Sequence, residues 1–176
     1  MSGFRPASLT AYAVGAVMWG VLAIAIGADR LYNEWHNYRV LHDFMDGRSG
    51  TVVLGSSVVA TPTLFVLVEL AWVVVTVAWL TAAVVHRFAG DRHPRAGRQL
   101  AAACASVTVA VVGLVVMFRD EPWGSNPFEP HLVTPTFLAA LVLVVVGVAA
   151  LALAWWSLRT DQSQEAPGSQ PVQANS

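Results

Sequence analysis

Glu69 is the residue in this chain with the clearest claim to chemistry. It sits among some twenty apolar residues, between Thr61-Pro62-Thr63 and His86-Arg87. No other apolar run in the sequence contains a formally charged side chain. A carboxylate at the centre of a bilayer costs about 3 kcal/mol even by the milder insertion scales, so such acids usually face protein or water. Three uses follow. Glu69 can be a structural acid paired with Arg30, Arg119 or a neighbouring subunit. It can be the titrating acid of a proton-coupled carrier. It can also be a protonated acid tolerated near the interface. The first is favoured. Arg30 and Arg119 stand at apolar-run ends on one side of the membrane, and their long stems can snorkel toward a buried acid. Glu69 lies roughly 8 Å below that side at 1.5 Å per helical residue.

The histidines are the second group. His36, Asp43 and His131 are expected on the same side and form the best candidate metal set. The spacing is poor for it. His36 and His42 are six apart and point in different directions on one helix, whereas a helical chelating pair such as HExxH is four apart. His131 would have to fold over from a separate loop. Cys104 is the lone cysteine, which excludes an intramolecular disulfide and a cysteine metal cage. As it lies within an apolar run, it is expected to be a buried thiol. There is no Gly-rich phosphate loop, no GxSxG, no CxxC and no pair of intramembrane histidines, and the loops are too short for a catalytic domain. The cofactor is left unassigned.

These residues need elements to hold them, and composition says which. Of 176 residues, 56% are hydrophobic and only 12% charged, about half the charged share of a soluble domain. Mean hydropathy is +0.57. Four blocks approach or exceed the ~18 apolar residues of a membrane span. They predict an all-α, polytopic membrane protein with helices at about 8–28, 61–86, 99–118 and 134–158, together a domain of residues 1–159. Residues 160–176 are polar and aperiodic, and are expected to be a disordered tail. A soluble bundle is disfavoured because the blocks lack a charged face. The first block is too long for a signal-peptide core and is read as a retained helix.

Residues 29–46 are expected to form an amphipathic extension of the first helix. Leu31, Trp35, Tyr38, Leu41 and Met45 recur at three and four. The helix either continues straight to about Asp46 or bends near Gly27, and Gly47 is a natural stop. Ion pairs Arg39–Asp43 and His42–Asp46 are available at i,i+4. Ala16 and Gly20, and Ala23 and Gly27, have the small-xxx-small spacing that suits close packing within the bundle. Thr-Pro-Thr opens both the second and the fourth helix, with Thr as cap and Pro at the first turn. That repetition suggests two parallel helical hairpins, in which Val142 would be the counterpart of Glu69. A simple preference for Thr-Pro at helix starts explains it equally well.

The loop at 87–98 carries four of the ten arginines, so the positive-inside rule makes it cytoplasmic. Both termini are then cytoplasmic, and residues 29–60 and 119–133 face outward. The Arg-only basic set, with abundant Ala and Val, suggests a bacterial inner membrane protein. The net charge of −1 gives no reason to expect nucleic acid. The expected partners are the lipid bilayer and other integral membrane subunits, or a further copy of the chain. The leading expectation is a small non-catalytic accessory or assembly subunit of a larger membrane complex, with Trp35, Tyr38 and Trp123 on its contact surface. The alternatives are a small proton-coupled transporter using Glu69 and an outward-facing metal-binding membrane protein.

Overall fold

A computed structural model of the protein describes residues 4–48, 62–88, 94–119 and 134–165. It is all-helical. The order is α1 (Phe4–Met45), α2 (Pro62–Phe88), α3 (Pro94–Arg119) and α4 (Pro135–Glu165). All four are long and apolar enough to cross a membrane, which makes this a multi-pass membrane protein with four candidate spans. Successive helices alternate in direction. They form a ring in which α1 packs on α2 and α4, and α3 closes the circle between the same two. The broadest interface is α1 with α4.

Helix ends follow the local chemistry. Three of the four helices begin at or next to a proline, which has no N–H to leave unpaired in the first turn. At α4 the cap itself is visible, since Phe137 N–H donates to Thr134 Oγ1 at 3.0 Å. The matching Thr61 lies outside the described residues. α1 ends at Met45 and is stopped by Gly47, whose φ of 70° is easy only for glycine. Gly47 N–H donates to Phe44 O and Arg48 N–H to Asp43 O, the paired bonds of a Schellman stop.

Of the two courses open to α1 past Gly27 it takes the continuous one and runs unbroken for 42 residues, roughly 63 Å. Gly27 serves packing instead: a Cβ there would come 2.8 Å from Ala140 O of α4. The tail expected from residue 160 begins as helix, because α4 runs on to Glu165. Its polar residues extend an existing helix and need not nucleate one. Residues 166–176, the 119–133 loop beyond Arg119 and residues 49–61 lie outside the described residues.

Small residues seat α1 on α4. Ala16 and Ala23 are fully buried. A Cβ on Gly20 would meet Gly147 O at 2.7 Å, and one on Gly147 would meet Gly20 O at 2.8 Å. With no hydrophobic force between helices in lipid, such backbone contact is a main source of association. Aromatic rings fill the axis. Trp19 lies 5.7 Å from Trp72 and 5.0 Å from Trp79, centroid to centroid, and Tyr12 lies 6.0 Å from Trp79. Trp19 Nε1 donates to Thr76 Oγ1 at 2.9 Å, and Thr76 donates to the Trp72 carbonyl. The outer face of α2 is apolar, with Val66, Leu70, Val73, Val74 and Val77 exposed. Cys104 is also on the outside and not, as its apolar setting suggested, buried. Its neighbour Ala103 takes the inward position.

Candidate functional site

The site builds from the contact of α1 with α2. Trp19 and Thr76 fix their register. Arg30 stands about three turns from Trp19, and Glu69 about two turns from Thr76 in the same direction along the axis. Side chains lean toward the N-terminus of their own helix. In antiparallel helices Arg30 therefore leans into the bundle and Glu69 leans out toward it. They meet, with Arg30 Nη2 3.5 Å from Glu69 Oε1. Arg30 keeps 38% of its side-chain surface and Glu69 keeps 30%. A cavity of about 90 Å³ opens beside them, lined by Ile26, Arg30, Glu69, Leu114, Met117 and Thr136. All four helices contribute, so this is the mouth of the bundle at the end from which α1 projects, the extended end. The Arg119 side chain lies outside the described residues.

Below the pair, α2 keeps its face turned inward: Trp72 and Trp79 are buried and Ala83 is at 1% exposure. The indole nitrogens of Trp72 and Trp79 are buried without a hydrogen-bond partner. At the opposite end, which carries Arg87, Arg95 and Arg98, a second polar group closes the axis. Ser8 Oγ and His86 Nδ1 share a hydrogen bond of 2.9 Å. His86 stacks on Tyr12 at 6.3 Å, and the Tyr12 hydroxyl donates to the Gln99 carbonyl at 3.3 Å. Sequence reading passed over Ser8, Tyr12 and Gln99. The available signal was spacing: Ser8 and Tyr12 are four apart on one face, and His86 continues the Trp72–Trp79 stripe at seven.

Beyond the mouth, α1 continues past the start of α4. Thr134 Oγ1 donates to Glu34 Oε2 at 3.0 Å, a tie from the cap of α4 to the extension. Glu34 was also missed, although it stands four after Arg30. Tyr32, Trp35, Phe44 and Met45 are exposed. Tyr38 is half-buried and lies 5.9 Å from His42. His42 pairs with Asp46 at 3.5 Å as its spacing suggests. Arg39 instead lies over the Trp35 ring, 5.6 Å from its centroid, and Arg48 takes Asp43. His36 stacks on Tyr32 at 6.2 Å. Among the described residues no three His, Cys, Asp or Glu side chains converge to hold a metal. His131 and Trp123 lie outside those residues. Val142, the proposed counterpart of Glu69, is on the outside of the bundle, in a groove between α3 and α4, so the two positions face different surroundings.

The fold thus defines a four-helix membrane bundle with an ion-paired mouth and one projecting helix. Comparison with protein-family models, with curated proteins and with solved structures yields no match.

Proposed function

We propose that this protein is a non-catalytic accessory or assembly subunit of a larger membrane complex, held by the bundle and docked through the projecting part of α1. The carrying observation is that projection. Past Arg30, α1 continues as regular helix to Met45, with Tyr32, Trp35, Phe44 and Met45 exposed along it. Aromatic and methionine side chains in such a position are the usual anchors of protein interfaces. We place the bundle in a bacterial inner membrane, with the arginine-bearing end in the cytoplasm and the projection outside, on the positive-inside rule.

The transport reading has one feature in its favour, the acid at the bundle mouth. The interior argues against it. A proton leaving Glu69 along the axis would need groups that both accept and donate. The next side chains are Trp72, Trp19, Thr76 and Trp79; an indole N–H only donates, and the Thr76 hydroxyl is already engaged, accepting from Trp19 and donating to the Trp72 carbonyl. Glu69 also has Arg30 as a partner within the chain. Both facts favour a structural acid.

The test is site-specific photocrosslinking in native membranes from positions 35 and 38, with position 79 in the buried core as control. Adducts to another membrane protein at 35 and 38 but not at 79 are expected, and Trp35→Ala should reduce co-purification of that partner. A monodisperse chain that crosslinks to nothing would sink the proposal.

A further inference from the structure

The cavity at the mouth has a charge pattern and a size that docking through α1 does not use. We infer that it is a lipid site: it takes the primary ammonium end of an aminophospholipid, phosphatidylethanolamine by chemistry, with the phosphate at Arg30 and one acyl chain in the groove between α3 and α4.

The charges suit a zwitterion. Arg30 and Glu69 approach to 3.5 Å, longer than the 2.7–2.9 Å of a closed charge-assisted hydrogen bond. A carboxylate accepts at about four lone-pair positions and a guanidinium offers five donors, so each can hold a second group of opposite charge. An anion alone would meet Glu69, and a cation alone would meet Arg30. A ligand carrying both charges a few bonds apart satisfies both. The head of an ethanolamine lipid is built that way.

Size then selects among zwitterions. A cavity of about 150 Å³ holds benzene, which is roughly 25 Å³ per non-hydrogen atom. On that scale the ~90 Å³ beside Glu69 admits three or four such atoms. An ethyl-ammonium end has three. A choline end has six and does not fit. The floor of Ile26, Leu114 and Met117 suits the two methylenes.

The tail has a track at the same level. A groove of about 400 Å³ runs along the outside of the α3–α4 seam past Val112, Gly113, Val116, Leu138 and Val142. Val116 adjoins the cavity residue Met117, and Pro135, at the groove's upper end, adjoins Thr136. Its lining runs about 12 Å along α3, from Thr108 to Val116, which covers the upper half of one acyl chain. The site stands whether or not α1 docks a partner.

The experiment is native mass spectrometry of the full chain in mild detergent. The chain is mixed with equal amounts of phosphatidylethanolamine, its N-methyl and N,N-dimethyl derivatives, and phosphatidylcholine, all with the same acyl chains. Retention should fall with each methyl, to about tenfold between the ends of the series. Glu69→Gln should remove the preference by taking away the ammonium's partner. Leu114→Trp should remove it by filling the cavity while keeping both charges. Free phosphoethanolamine at the lipid's concentration should not displace the lipid. Equal retention of the four lipids by the wild-type chain overturns the site without any variant. A preference that survives both substitutions overturns its placement, and displacement by the free head group overturns the lipid as its source.

Discussion

Glu69 and Arg30 show how a residue that is costly alone becomes tolerable as one of a pair. Each keeps about a third of its side-chain surface, so their attraction is partly screened and the pair is not worth what full burial would suggest. We expect Arg30→Gln and Glu69→Gln each to lower stability, with a coupling of about 1 kcal/mol in the double-mutant cycle, read by unfolding in detergent. Additive losses would mean that the two residues act independently. The acid was legible in the sequence because nothing else charged interrupts an apolar run, and Arg30 was legible because it ends one. That Arg30 is the partner follows from helix direction, since antiparallel packing makes the two side chains lean toward each other. The cavity beside them was not legible, because it depends on Leu114, Met117 and Thr136 arriving from two other helices.

At the scale of elements, glycine positions decide which helices touch. Gly20 and Gly147 face each other backbone to backbone, and neither has room for a methyl group. Gly20→Ala and Gly147→Ala should each cost about 1–3 kcal/mol, the usual penalty of overpacking, despite alanine's better helix propensity. Gly113→Ala is the control. Its new Cβ would lie 3.6 Å from Ala139 O, an ordinary contact, so unfolding should be unchanged or up to about 1 kcal/mol more favourable to the fold. The ordering of these three variants by thermal or denaturant unfolding checks the packing directly. Small-xxx-small spacing announced that α1 packs closely but did not name its partner, because α4 is nearly as rich in alanine and glycine and its own pattern is lost in that background. The four spans were readable from run length. The unbroken passage of α1 through Gly27 was not, because a glycine in a sequence looks the same whether it bends a helix or lets another one in.

For the molecule as a whole, the unequal ends are the basis of the topology we propose. Arg87, Arg95 and Arg98 gather at one end and the projection of α1 leaves from the other. In a Cys104→Ala background, an impermeant maleimide should label Arg39→Cys on intact cells and Arg98→Cys only after the membrane is opened. The reverse pattern would invert the orientation. The α1–α4 seam has a further consequence, in the order of synthesis. α1 leaves the ribosome before α2 and α3, and α4, the helix that fills its small-residue face, follows them. Until α4 inserts, the strip from Ala16 to Gly27 lacks the helix backbone that covers it in the finished bundle. In the two-stage view of membrane folding, helices insert first and associate later. Closure of this bundle therefore waits on α4, and a chain stalled before Pro135 would display in the bilayer the close-approach surface that the finished protein hides.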